Sequence, residues 1–110
     1  MVRFGWRRIL DAMFGFFKRT HKDLIKLLEE VDDLLTKNDN ISLFGLSAAE
    51  GSKDLRIAIE GLKAKRKIDK KQIKSLFAPT GLIQECAMAN GWADQYLELS
   101  DRFDELIIYV

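Results

Sequence analysis

One thiol, Cys86, and one imidazole, His21, are the side chains in this 110-residue chain best suited to nucleophilic or acid–base work. A reactive cysteine needs a base beside it and an electropositive setting that lowers its pKa. Cys86 instead directly follows Glu85, and His21 sits far away at the head of another segment. Cys86 therefore reads as a small buried core residue. Acidic neighbours such as Asp32-Asp33 and Asp104-Glu105 resemble catalytic pairs only on paper. Adjacent residues on a helix point about 100° apart, so solvation is the default role of each. No spacing of His, Cys and carboxylates suits a metal, and no phosphate-cradling glycine loop or GxSxG elbow is present. The expectation is a protein that is not an enzyme, with no catalytic, cofactor-binding or metal-binding residues.

Charge is the stronger signal. Formal net charge is +1, but residues 1–77 carry 17 Lys/Arg against 11 Asp/Glu, whereas residues 78–110 carry Arg102 alone against six acids. The two parts differ as +6 against −5 and would present opposite fields to a partner. Two clusters dominate. Lys63, Lys65, Arg66, Lys67, Lys70, Lys71 and Lys74 stand against the single acid Asp69. Asp94, Glu98, Asp101, Asp104 and Glu105 crowd the other end. The basic run is a solvated face or a grip for RNA, lipid headgroups or an acidic protein. Lacking aromatic residues until Phe77, it offers no base stacking, so any nucleic-acid contact would be electrostatic and poorly specific.

At 110 residues the chain suffices for one domain with one modest core. Its 47% apolar and 32% charged residues exclude a disordered composition. A single cysteine points to a reducing compartment, and no apolar run reaches the roughly 18–20 residues of a spanning helix. The expected location is the cytoplasm.

These charges must ride on helices. Leu24, Leu27, Leu28, Val31, Leu34 and Leu35 recur at spacings of three and four, predicting a helix over 20–38 with Thr20 as N-cap. Leu55, Ala58, Ile59 and Leu62 predict a second over 53–65, Gly51 and Ser52 arguing against an earlier start at the capping-box spacing of SAAE. Asp69 and Gln72 repeat that spacing ahead of a short helix over 70–77. ISLFGL (41–46) reads as a core-inserting loop, and IIYV at the end as a segment tucked against the core. Residues 1–19 form an N-terminal extension open to three readings. It is a start-site artefact or frayed extension, with Met13 as an alternative start. It is a core-packing helix. Or it is an interfacial anchor that sets Trp6, Phe14, Phe16 and Phe17 into a headgroup layer beside Arg3, Arg7, Arg8, Lys18 and Arg19. Asp11 and two glycines weaken the helix that the last reading needs.

The stretch LFAPTGLIQECAMANGWADQYLELSDRFDEL (76–106) is the most patterned. Pro79 ends the preceding helix, and Thr80 caps a short one over 80–89. Asn90-Gly91 supplies the positive φ of a tight break. Trp92, Tyr96, Leu99, Phe103 and Leu106 then stripe an acidic amphipathic helix over 92–107. Ala87 and Gly91 have helix-turn-helix spacing, but a recognition helix with five acids would be repelled by phosphate, which excludes sequence-specific DNA binding. The expected fold is an all-α single domain over 20–110, of four to five helices, closing on this helix-corner-helix.

The residues Leu76 to Gly81, Gln84, Glu85, Asn90 to Trp92 and Phe103-Asp104 are similar to segments of small bacterial immunity proteins encoded beside polymorphic toxins. RIAIEGL (56–62) loosely resembles a middle helix of helical immunity proteins. Together they cover under half the chain. The resemblance implies a binder that occludes one toxin domain without catalysis. An acidic helix would suit a basic toxin, which makes Asp94, Glu98, Asp101, Asp104 and Glu105 the candidate partner-binding residues. The alternative is a peripheral membrane or nucleic-acid accessory protein that uses the basic segment 63–74.

Overall fold

The computed structural model describes residues 3–38, 48–78 and 81–110, with side chains from Arg19 onward. It is all-helical among these residues: α1 (Arg3–Lys37), α2 (Ala48–Lys63), α3 (Lys70–Leu76), α4 (Leu82–Asn90) and α5 (Ala93–Ile107).

α1 organises the rest. Leu24, Leu27, Leu28, Val31 and Leu35 are all at most 1% exposed, because the three-and-four spacing lines them along one face. Truncating one of them, Leu28→Ala, would cost roughly 2–5 kcal/mol. α2 runs antiparallel to this part of α1. A methyl placed on Gly51, in the first turn of α2, would lie 2.9 Å from Leu35 and 3.3 Å from Leu82. Farther along, Lys63 reaches Glu29 at 3.5 Å. Gly51 is thus a point of close approach between α1, α2 and the start of α4, where an added methyl would have to displace the side-chain ends of Leu35 and Leu82. α5 packs against α1 and α4, while α4 also touches α2 and α1, and α3 leans on α2.

The C-terminal core is aromatic. Phe77 stacks on Phe103 with ring centroids 4.0 Å apart and on Tyr96 at 6.2 Å. Trp92 meets Tyr96 edge-on at 6.2 Å. The stripe expected on α5 is the buried face, with Leu106 half-buried and Ile107 joining it. The corner before it is also as expected. Gly91 has φ +83°, and its amide and that of Trp92 both donate to the Ala87 carbonyl, closing α4 with a left-handed cap. Asn90 adds a bond from Nδ2 to the Cys86 carbonyl at 2.9 Å. Cys86 itself is buried. Asp69 caps α3, accepting from the Lys71 and Gln72 amides.

Several boundaries differ from the sequence expectation. The helix expected to begin at Thr20 begins at Arg3. Thr20 is not an N-cap but an interior residue, 4% exposed, on the same face as Leu24 and Leu27. Its capping chemistry is overridden because packing along that face outweighs a single capping hydrogen bond. α2 starts at Ala48 rather than 53, since Gly51 and Ser52 are buried against α1 and repay their low helix propensity in packing. α4 starts at Leu82 with Gly81 in the N-cap position, whereas Thr80 lies outside the described residues. Only part of IIYV tucks in: Ile107 is buried and Val110 packs on the core, but Ile108 is 72% exposed and Tyr109 48%. The ISLFGL loop lies outside the described residues.

Thirty-five residues of helix span about 52 Å. Among the residues whose side chains are described, the buried positions of α1 run from Thr20 to Leu35, and α2 and α5, with 16 and 15 residues, are each less than half as long as the helix. The molecule measures 64 × 26 × 21 Å. The front half of α1 therefore projects from the bundle along its long axis.

Candidate functional site

All five acids singled out in the sequence are exposed on α5. At about 100° per residue, Asp94, Glu98, Asp101 and Glu105 fall within a wedge of roughly 60°, and Asp104 lies about 60° from Asp101. They form a stripe running the length of α5, opposite its buried aromatic face. None of the five makes an ion pair with a described cation. Asp94 stands in the first turn, where the helix dipole favours a negative charge. Leu97, 53% exposed, and Ile108, 72% exposed, fall on the Asp104 side of the same stripe. Sequence reasoning missed these two. Their signal was present, since Leu97 falls outside the Trp92–Leu106 stripe, but an isolated apolar residue on a polar face is common and unremarked.

Beneath the stripe, two buried polar atoms, Trp92 Nε1 and Tyr96 Oη, have no hydrogen-bond partner among the described residues. Burial raises the Tyr96 phenol above its ordinary pKa, and the negative charge of Asp104 adds to this. The Ser100 hydroxyl, one turn along, opposes the shift without reaching good hydrogen-bond geometry with Tyr96 Oη.

The seven basic residues are also all exposed, but they divide into two groups. Arg66, Lys67, Lys70 and Lys71 line an open groove of about 720 Å³ together with His21, Ile68 and Val110. Asp69 also lines it, although its carboxylate is held by the amides of α3. Lys63, Lys65 and Lys74 stand outside. Lys63 is occupied with Glu29, an exposed pair worth little. Lys65 has φ +56° and forms the left-handed C-cap of α2, its amide bonding to Leu62 and that of Arg66 to Gly61. The turn thus swings the cations back over the start of the buried part of α1, beside His21. Loop geometry decides that placement, which is why the sequence could not show it.

A polar cluster joins α1 to α2. Ser52 donates to Asp32, whose second oxygen accepts from Arg56 Nε at 3.3 Å. Asp32 had read as a solvated residue off the apolar stripe; its side chain is only 16% exposed.

No protein-family model, curated protein or solved structure gives a significant match to the chain.

Proposed function

We propose that this chain is a non-catalytic protein-binding module, an immunity-type inhibitor that covers a basic partner domain with the acidic face of α5. One observation carries the reading: an acidic stripe along a single helix, without an ion pair to any cation whose side chain is described, with exposed Leu97 and Ile108 beside it. Apolar side chains within a charged rim are the composition of a contact patch, where desolvated anchors give affinity and the surrounding charge gives encounter rate and partner choice. A nuclease-like toxin must be basic to grip phosphate, so this face would occupy the surface its target uses. The immunity-protein resemblance of 76–106 falls on the same corner and helix.

The test is capture of the tagged chain's partner at about 0.3 M salt, where screened surface contacts weaken. The bound protein is then assayed for loss of activity. A stoichiometric basic protein that is silenced by the native chain and released by Asp94→Lys/Glu98→Lys/Asp101→Lys supports the reading. A partner indifferent to that triple reversal overturns the assignment of the face.

A second reading, a peripheral membrane or nucleic-acid accessory protein, is favoured by the convergence of Arg66, Lys67, Lys70 and Lys71 at one groove. It requires binding that falls steeply with salt and depends on those four residues.

A further inference from the structure

The projecting half of α1 has a register of its own. Positions 6, 9, 10, 13, 14, 16 and 17 carry Trp, Ile, Leu, Met, Phe, Phe and Phe. At about 100° per residue they share one arc of roughly 160°. This arc is in register with the face that is buried from Thr20 and Leu24 to Leu35 among the described side chains. Arg7, Arg8, Lys18 and Arg19 lie outside this arc, with Asp11 as the single acid there and Phe4 among them, while Arg3 falls inside it between the positions of Leu10 and Phe14. Residues 1–19 therefore hold five cations against one acid, a net +4. The weakness that Asp11, Gly5 and Gly15 imply in the sequence does not break the helix, which is continuous from Arg3 to Lys37.

The end of the bundle from which this half emerges is equipped to match. The basic groove of Arg66, Lys67, Lys70 and Lys71 includes His21. A second groove, of about 620 Å³, sets the exposed Ile108 and Tyr109 of the α5 terminus beside Arg19, Thr20 and Asp23. Asp23, Asp69 and Glu105 are the acids in these two linings, and Asp69 is held by its cap.

We infer that this end of the molecule docks on an anionic lipid surface, with the front half of α1 lying in the headgroup layer and the basic groove resting on it. A wide apolar arc backed by cations is the composition of an interfacial helix. Each cation within a Debye length of anionic headgroups adds to the attraction. Charge opposes pairing of this helix with the same helix of a second copy, which would bring +4 against +4, and matches it to an anionic surface. No described helix is long and apolar enough to cross a membrane, so the helix lies on the surface. This site is separate from the α5 face, and its failure leaves the protein-binding proposal untouched.

The test is co-sedimentation of the full chain with vesicles of phosphatidylcholine, with and without about 30% phosphatidylserine, at low and high salt. Trp6 emission is followed by difference against Trp6→Phe, since Trp92 is buried in the core. Expected are at least about tenfold stronger binding to the anionic vesicles, weakening with salt, and a blue shift of Trp6. Phe14→Glu/Phe17→Glu and Arg7→Glu/Arg8→Glu should each remove the binding while leaving circular dichroism and Trp92 emission unchanged. Equal binding to both vesicle types, or none, overturns the inference. So does binding that survives both double variants but is lost on neutralising Arg66, Lys67, Lys70 and Lys71. Concentration-dependent dimers that the same double variants dissolve would give the arc to a second copy and overturn it as well.

Discussion

Ser52 on α2 donates a hydrogen bond to Asp32 on α1, and both are withdrawn from water, Ser52 to 5% exposure and the Asp32 side chain to 16%. This is a polar clasp at the α1–α2 interface, more withdrawn from water than the exposed Lys63–Glu29 pair across the same helices. Arg56 shares the same carboxylate, but with 66% of its own side chain exposed it adds little.

Removing the donor should leave a half-buried carboxylate poorly satisfied. Ser52→Ala is expected to cost about 1–3 kcal/mol. A melting curve should show it as a drop of roughly 4 °C per kcal/mol. In a double-mutant cycle with Asp32→Ala, a coupling energy near zero would show that the two side chains are neighbours without being partners.

Tyr96 should behave in the opposite sense. Its buried hydroxyl lacks a partner in good geometry, so Tyr96→Phe should be neutral or stabilising by up to about 1 kcal/mol at neutral pH. The alkaline limb gives a second check. The folded-state pKa is raised above 10.0, so the fold holds the proton after the unfolded chain has begun to lose it. The associated stability is present below pH 10 and is lost as pH climbs from there through the folded pKa. Denaturant midpoints measured between about pH 8 and pH 11 should fall more steeply for the native chain than for Tyr96→Phe. Parallel curves would mean that the phenol is not withdrawn from solvent.

The two left-handed caps should respond to opposite exchanges. Lys65 holds φ +56° with a side chain, and Gly91 holds φ +83° without one, with nothing near the position a methyl would take. Lys65→Gly should gain up to about 1 kcal/mol, and Gly91→Ala should lose about the same, both from backbone strain alone. Urea unfolding would read both. If Lys65→Gly proves destabilising, the Lys65 side chain contributes more than its strain costs.

The acidic stripe should be separable from the fold. Glu98→Lys and Asp101→Lys are exposed and unpaired, and each should shift stability by no more than about 0.5 kcal/mol. Asp94→Lys should cost slightly more, up to about 1 kcal/mol, through the helix dipole. Thermal melts of the triple variant beside its binding assay would distinguish a lost contact from a lost fold. A melt lowered by more than about 10 °C would disqualify it as an interface probe.

The sequence by itself determined the helical class, the buried face of α1 from Leu24 to Leu35 and those of α2, α3 and α5, the Asp69 cap and the Gly91 corner. Each of these is a local matter of side-chain period or backbone preference, decided within one or two turns. It also determined that two opposite charge clusters exist. Tertiary structure decided what stands next to what. Thr20 reads as a cap in isolation and is an interior residue because packing along one face outweighs a single hydrogen bond. Gly51 and Ser52 read as a helix breaker and its neighbour, yet α1 approaches there closely enough to bury both and to take the Ser52 hydroxyl as a donor. The antiparallel course of α2 and the left-handed turn at Lys65 carry the basic run back to His21, at the end where α1 leaves the bundle. Period fixes which face of a helix is apolar; only the relative placement of helices fixes which charges become neighbours, because that depends on contacts between residues far apart in the chain.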